Sequence, residues 1–299
     1  MKLKPWIAAA RLRTLPLAFS SIILGTCLAA SNGHYNTLIF VLSLITTLCY
    51  QVLSNYANDY GDGVKGSDAN RTGEQRAVAS GWITSGQMRN AVIVFAVLSF
   101  LFGTWLSIIA THNLPLMVTL TFVGLGILAI VAAITYTMGR RAYGYKGLGD
   151  ISVLIFFGYV GVVGSYFLQT NFLNWEVFLP ATAVGFLAMG VLNLNNMRDI
   201  EEDRKNGKRT LAVMMGLQGA KYYHGALLIL AMDLAFIYNA ITPGGFWRNL
   251  YFLCIPLILL NLYRAVKAND PKDFEPLLKM LALTTLLFTL LFGVGQLYS

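Results

Sequence analysis

The sequence predicts an all-α membrane protein, a bundle of about nine transmembrane helices around a central cavity that opens to the cytoplasmic side, with the N-terminus inside. Of its 299 residues, 56% are hydrophobic and 12% are charged, so the chain carries more apolar surface than a soluble domain of this length can bury. The charged residues are gathered into short stretches. Between them lie apolar runs of the ~20 residues that cross a bilayer as a helix.

The apolar runs place nine spans, and the polar connections between them alternate in length. We predict the spans at about 15–31, 36–56, 89–110, 114–137, 151–170, 176–195, 222–240, 248–264 and 277–297. The long connections are then 57–88, 138–150, 196–221 and 265–276. When the N-terminus and these connections share one side, that side holds all of the 22 basic residues except Arg248. The positive-inside rule therefore predicts a cytoplasmic N-terminus, and the net charge of +8 reflects topology rather than nucleic-acid binding.

A first polar cluster stands at the inner end of the second span. Its side chains are spaced by three, four and seven residues, which places them on one helical face; they are Asn55, Asn58, Asp59 and Asp62. The glycines at 61, 63 and 66 are expected to break the helix after this face, so that the chain turns back with Asp68.

A second cluster stands at the inner end of the sixth span. Asn196, Asp199 and Asp203 follow one another at offsets of three and seven residues, again on one helical face. Two helices four spans apart thus carry the same stripe of amides and carboxylates on the same side of the membrane. Such a pseudo-repeat predicts that the stripes face each other across a cavity.

Carboxylate and amide oxygens on both sides of a cavity suit Mg²⁺, which shares its coordination shell with substrate phosphates. Cations that could hold a diphosphate follow both clusters and fill the loop between them; they are Lys65, Arg71, Arg76, Arg198, Lys208, Arg209, Arg140, Arg141 and Lys146. Ordinary loop charges at a membrane surface are the plain alternative. That alternative does not explain stripes that begin inside apolar segments, where polar groups are costly.

These motifs resemble those of the UbiA-type intramembrane prenyltransferases. The family's N-D-x-x-D and D-x-x-x-D motifs are matched by Asn58-Asp59-x-x-Asp62 and by Asp199-x-x-x-Asp203, and the resemblance spans the whole chain. Five residues separate Asp62 from Asp68, a spacing similar to that of the branch that prenylates 1,4-dihydroxy-2-naphthoate.

The resemblance implies an enzyme and a set of site residues. It implies Mg²⁺-dependent transfer of a polyprenyl group from polyprenyl diphosphate to 1,4-dihydroxy-2-naphthoate, with loss of CO₂ and diphosphate, giving a demethylmenaquinone. The four motif acids Asp59, Asp62, Asp199 and Asp203 would be catalytic and, with Asn55, Asn58 and Asn196, would hold the metal. Substrate contacts are expected from Arg13 and from residues that resemble the family's fourth-loop motif, Tyr136, Tyr143 and Lys146, besides Asp68 and the loop cations.

Several alternatives stay open at this stage. The acceptor could be another aromatic compound, such as 4-hydroxybenzoate or homogentisate. A transporter would show similar pseudo-repeats, but it predicts ionisable groups near the midplane, where Asp233 is the single acid; we expect Asp233 to pack between helices. We expect one transmembrane prenyltransferase domain over residues 1–299, in a bacterial-type cytoplasmic membrane with the site facing the cytoplasm.

Overall fold

A computed structural model of the protein describes residues 3–66, 76–139 and 142–299. Nine helices in these ranges are long and apolar enough to cross a membrane, which confirms the prediction of an all-α bundle with about nine spans. In chain order the helices are α1 (Leu3–Ala10), α2 (Leu15–Ser31), α3 (Thr37–Lys65), α4 (Ser85–Thr111), α5 (Leu116–Thr135), α6 (Gly149–Thr170), α7 (Phe178–Arg198), α8 (Ile200–Lys205), α9 (Leu211–Ile241), α10 (Phe246–Lys267) and α11 (Pro271–Leu297). The short helices α1 and α8 lie beside the membrane-length ones, and both belong to the end of the bundle that carries the two motifs, the motif end.

Polar side chains fix where several of these helices begin. Asn36 and Thr210 accept backbone N–H groups at the starts of α3 and α9. Thr84 with Gln87, and Asp270 with Asp273, form capping boxes at the starts of α4 and α11. Each cap satisfies N–H groups that a helix leaves without an internal partner, so the long helices start at defined residues.

Helix α3 is longer than the sequence predicted. It continues through the first motif to Lys65 and ends at Gly66, whose φ of 72° needs a residue without a Cβ. The prediction that Gly61 and Gly63 break this helix is wrong. A Cβ on Gly61 would lie 2.6 Å from Thr137 Oγ1, and one on Gly63 would lie 2.7 Å from Val78 Cγ1. These glycines therefore let two connections pack directly against α3.

The bundle is packed unevenly around α7. Most residues of α7 are buried, because α9, α11 and α6 all pack against it. By contrast, α5 has no buried residue among its twenty. Large apolar side chains are exposed along the outer faces of α4 and α5, as a lipid-facing belt requires.

Asp233 lies in the middle of α9, where we expected it to pack between helices. Asp233 is exposed on the outer face of the bundle, next to exposed Leu230, Phe236 and Ile237. The prediction that it packs between helices is wrong, because α9 turns a different stripe, which includes Ala231, toward α7.

Candidate functional site

A cavity of about 740 Å³ lies between the helices. Its polar lining is concentrated at the motif end, where α3 and α7 both contribute motif residues. Away from that end the walls are mainly apolar and include Leu106, Phe122, Phe167 and Phe178. One end of the cavity can thus hold a charged group, while the rest suits a hydrocarbon chain.

Asp62 is the centre of the first charged network. Its side chain is almost fully buried, and its Oδ1 accepts a hydrogen bond of 2.8 Å from the Tyr145 hydroxyl. Its Oδ2 lies 3.4 Å from an Arg76 guanidinium nitrogen and 3.6 Å from Lys208 Nζ. Lys208 Nζ also lies 3.7 Å from Asp203 Oδ1. We call these five residues the Asp62 network; in it one ammonium reaches an acid from each motif.

Arg198 is the centre of a second network on the other side of the motif end. Its Nε and one terminal nitrogen donate to the two Asp199 oxygens at 2.7 and 2.8 Å, and the latter nitrogen also donates to Asn195 Oδ1 at 2.8 Å. Its remaining terminal nitrogen donates to Glu275. The other Glu275 oxygen accepts from Arg13 at 2.6 Å. These five residues are the Arg198 network, which joins α7 and α11 to the segment before α2.

Asp59 does not belong to either network. Its two oxygens each accept a backbone N–H, from Ala77 and Val78, both at 2.9 Å. The side chain is almost fully buried, and it does not line the cavity. The structure therefore gives Asp59 a different position from Asp62, which the sequence treated as its equal: it holds the 76–78 segment against α3.

The three motif amides line the cavity near these acids. Asn55 donates to the Ala10 carbonyl at 2.8 Å and so ties the end of α1 to α3. Asn58 accepts a hydrogen bond of 3.1 Å from the Thr137 hydroxyl. Asn196 is buried on α7 and faces the same end of the cavity. Their oxygens are placed to supplement the carboxylates as hard ligands.

Aromatic side chains after α5 form a wall of the polar end. Tyr136 and Tyr143 pack edge to face with ring centroids 5.2 Å apart, and both line the cavity. The Tyr143 hydroxyl lies 3.0 Å from the Ser152 hydroxyl, and burial raises the pKa of Tyr143, so its phenol stays protonated at neutral pH. Lys65 does not line the cavity: it donates to the Thr137 carbonyl at 2.6 Å, and its Nζ lies 4.3 Å from the Tyr145 ring centroid.

The structure brings most of the predicted substrate-binding residues to the cavity. The ones that line it are Arg13, Arg76, Tyr136, Tyr143, Arg198 and Lys208. Lys146 and Arg209 are exposed and are absent from the cavity wall. Asp68 and Arg71, like Arg140 and Arg141, lie outside the described residues.

The sequence assigned no role to Glu275, and it did not predict the partner of Tyr145. Glu275 begins a cavity-lining stripe on α11 that continues with Leu278 and Ala282 at offsets of three and seven residues. That helical spacing was the available signal, but Glu275 was not singled out from the sequence. Tyr145 resembles part of the family's fourth-loop motif, but its bond to Asp62, a residue 83 positions away in the sequence, was not predicted.

The donor set fits a divalent cation shared with a phosphate group. Lys208 stands between Asp62 and Asp203, so positive charge is already required where acids of the two motifs meet. Among the described residues, no three His, Cys, Asp or Glu side chains gather closely enough to hold a metal by themselves. Mg²⁺ needs no such group, since it is commonly bound through one or two carboxylates plus substrate phosphates.

Relatives with assigned names share the whole length of the chain. A protein named 1,4-dihydroxy-2-naphthoate octaprenyltransferase in Escherichia coli is 46% identical over 294 residues, which are 97% of this chain and 94% of the relative. Proteins of the same name in Haemophilus influenzae and Mycobacterium tuberculosis are 45% and 32% identical, covering 99% and 95% of this chain and 96% and 94% of the relatives.

Solved structures share the fold. A UbiA homologue from Aeropyrum pernix superposes with a TM-score of 0.68 at 15% identity, covering 99% of this chain and 98% of that one. A UbiA homologue from Archaeoglobus fulgidus, bound to DMAPP and Mg²⁺, superposes with a TM-score of 0.61 at 16% identity, covering 96% and 98%. The model of the UbiA prenyltransferase family matches residues 18–294. With the fold, the two motifs and these relatives in agreement, the chain belongs to the UbiA prenyltransferase family, as the resemblance implied.

Proposed function

We propose that this protein transfers a polyprenyl group from polyprenyl diphosphate to 1,4-dihydroxy-2-naphthoate, releasing CO₂ and diphosphate and giving a demethylmenaquinol, the reduced form of a demethylmenaquinone. One observation carries the proposal: acids of both motifs meet around a single cation at the polar end of an otherwise apolar cavity. A polyprenyl diphosphate has the same division, a highly charged head on a long hydrocarbon chain. The names of the relatives favour the naphthoate as acceptor.

We assign the metal to the motif residues that face the cavity. Asp62, Asp199 and Asp203 would hold Mg²⁺, with amide oxygens of Asn58 and Asn196 beside them. When bound, Mg²⁺ neutralises the diphosphate and makes it a better leaving group. In the solved structures, Mg²⁺ accompanies the prenyl diphosphate of an archaeal homologue.

The protein's own side chains prepare the departure of the diphosphate. Lys208 and Arg76 place positive charge beside Asp62, where they are positioned to contact the diphosphate oxygens. Tyr145 holds the Asp62 carboxylate in one orientation through its hydroxyl. Asp59 acts at one remove, since it fixes the backbone next to Arg76.

The reaction needs no nucleophile from the protein. The allylic C–O bond breaks and its electron pair leaves with the diphosphate. The electron-rich ring of the acceptor then attacks the prenyl carbon through the ring carbon that bears the carboxylate. The bond from that carbon to the carboxylate breaks, CO₂ departs, and the released electron pair restores the aromatic ring. Apolar walls around the prenyl chain exclude water that would otherwise capture the cation.

We further propose the topology that the basic residues indicate. The whole chain would form one membrane-embedded domain in a bacterial cytoplasmic membrane, with the motif end facing the cytoplasm. Diphosphate would then be released into the cytoplasm, while the prenyl chain stays within the thickness of the bilayer. No nucleic acid is needed to account for the net positive charge.

A transfer assay tests the proposal. Purified protein in detergent, given octaprenyl diphosphate and Mg²⁺, should prenylate 1,4-dihydroxy-2-naphthoate and release one CO₂ for each product molecule. Chelation of Mg²⁺ by EDTA should stop the reaction, and added Mg²⁺ should restore it. Prenylation of 4-hydroxybenzoate, with none of the naphthoate, would contradict the assigned acceptor.

A further inference from the structure

The Glu275 carboxylate lies between two guanidinium groups at the polar end of the cavity. Its two oxygens are held separately, one by Arg13 at 2.6 Å and the other by Arg198. All three side chains line the cavity. We propose that Arg13 and Arg198 form the binding site for the carboxylate of the aromatic acceptor, and that Glu275 fills this site until the acceptor displaces it. The inference rests on the proposed function, because the two arginines would bind the second substrate of that reaction, the aromatic acceptor.

The two arginines are suited to different parts of this task. The Arg198 side chain is only 3% exposed, and its other nitrogens are fixed by Asp199 and Asn195. Its remaining nitrogen is therefore aimed at a carboxylate with little freedom left to lose. Arg13, in contrast, is 45% exposed. The structure thus combines one rigid guanidinium with one that can follow a ligand.

The contact of Glu275 with Arg13 costs little to break, whereas its contact with the buried Arg198 has to be replaced by the incoming ligand. Arg13 and Glu275 are both more than a third exposed, and exposed ion pairs change an equilibrium constant by about fivefold or less. The acceptor's carboxylate would replace the contacts that Glu275 gives up. Neither guanidinium would then be left facing a cavity without an anion.

The surroundings fit an aromatic ring attached to that carboxylate. Leu278 and Ala282 follow Glu275 along the cavity face of α11, and Leu17 on α2 lines the cavity as well. An aromatic carboxylate bound between the arginines would lay its ring on these side chains. Because Arg198 also holds Asp199, the ring would lie beside the acids that we assign to the metal and the diphosphate.

The diphosphate has its own cations elsewhere. Arg76 and Lys208 belong to the Asp62 network, whereas Arg13 and Arg198 contact Glu275 and Asp199. Two anionic substrates that must react with each other need two separate sets of positive charge. The geometry supplies them.

Equilibrium binding without turnover tests the inference. The probe is 1-hydroxy-2-naphthoate, whose own fluorescence reports binding to the full chain in detergent, without Mg²⁺ or diphosphate. Its carboxyl-free counterpart, 1-naphthol, serves as competitor. The wild type should bind the carboxylate probe at least about tenfold more tightly than 1-naphthol, the smallest effect expected for hydrogen bonds to a charged group.

Two variants should move this preference in opposite directions. Arg13→Gln should reduce the ratio of the two affinities toward one. Glu275→Gln removes the resident anion while keeping the shape of the side chain, so it should bind the carboxylate probe up to about fivefold more tightly than the wild type. A purely structural ion pair predicts weaker binding of both compounds in both variants, with an unchanged ratio.

Matched controls come from the exposed pair of Glu201 and Arg204 on α8, which do not line the cavity. Glu201→Gln and Arg204→Gln should leave the ratio unchanged, and Tm should be measured for every variant. If Arg13→Gln lowers Tm strongly, Arg13→Lys keeps the test: it should retain part of the preference. Three outcomes would each overturn the inference. The ratio of affinities could be unchanged in Arg13→Gln, or Glu275→Gln could fail to bind the carboxylate probe more tightly. Inorganic diphosphate could also compete with the carboxylate probe. Since no turnover is measured, a negative transfer assay would count against the proposed function alone.

Discussion

The Asp62 network and the Arg198 network are built from the same kinds of residue, yet their geometries differ. In the Asp62 network the ion pairs span 3.4 to 3.7 Å, longer than hydrogen bonds between charged groups. In the Arg198 network Arg13 lies 2.6 Å from Glu275 and Arg198 Nε lies 2.7 Å from Asp199 Oδ1, and the planar Arg198 guanidinium holds Asp199 through two nitrogens. The ion pairs of the Asp62 network are therefore long, which we call open, and those of the Arg198 network are short and directional, which we call closed.

This difference separates two tasks that the sequence showed as one repeated pattern. A compact ammonium between acids can give way to a divalent cation, because it makes no directional hydrogen bond that must first be broken. A buried guanidinium fixed at several nitrogens instead keeps one carboxylate in place. We therefore expect the Asp62 network to bind metal and diphosphate, and the Arg198 network to hold Asp199 in position beside the metal and receive the acceptor.

The largest expected effect concerns the acids on either side of Lys208. Asp62→Asn and Asp203→Asn should each lower kcat/KM by at least about a thousandfold, since charge stabilisation of the leaving group is lost. The apparent affinity for Mg²⁺ should fall in the same variants, measured by activity against Mg²⁺ concentration. Glu201→Gln, on an exposed acid near the same end, is the control and should retain full activity. Wild-type activity in either Asn variant would remove that acid from the proposed metal site.

A second prediction compares the central cations of the two networks by stability. Arg198→Gln should lower the free energy of unfolding by about 3–5 kcal/mol, because the buried Asp199 would lose the guanidinium that holds both of its oxygens. Lys208→Gln should lower it by about 1 kcal/mol or less, since its contacts are long and Asp62 keeps Tyr145 and Arg76. Thermal unfolding in detergent measures both. Equal losses would contradict the distinction between a closed and an open network.

A smaller effect than that of Arg198→Gln is expected within the first motif itself. Asp59→Asn replaces one of two carboxylate oxygens that accept backbone N–H groups, so it should cost about 1–3 kcal/mol of stability. Because Asp59 does not line the cavity, the Mg²⁺ dependence of the remaining activity should match the wild type. A lower apparent affinity for Mg²⁺, as expected for Asp62→Asn, would instead make Asp59 a metal ligand.

Much of the fold could be predicted from composition and pattern. The nine spans were found because apolar runs of membrane length are a strong signal, and the family motifs were legible at the ends of two of them. The errors fall at helix ends. Polar residues after 56 suggested a loop, but α3 continues to Lys65 because Gly61 and Gly63 allow other segments to pack against it. Helix α9 likewise starts at Leu211, where Thr210 caps it, and Gly216, with a φ of 72° and a ψ of 169°, kinks it before the apolar run begins.

The sequence predicted most residues of the candidate site, but it did not predict which of them contact each other. Asp59 and Asp62 have the same chemistry and lie three residues apart, yet Asp62 faces the cavity and Asp59 holds a neighbouring backbone segment. Helical offsets place residues on a broad face, but they do not say which neighbour covers each part of that face. Glu275 shows the same limit, as it meets Arg13 across 262 positions of sequence.

By itself, the sequence determined that this protein lies in a membrane, where its charges gather, and which family its motifs indicate. These properties follow from hydrophobicity and from local spacing, which act within one or two helical turns or along a single span. The tertiary structure alone decided that Lys208 joins the two motifs, that Arg198 and Arg13 share Glu275, and that Asp59 stands apart. Such pairings depend on how helices distant in the sequence pack against each other, because charges form pairs only at distances of a few ångströms.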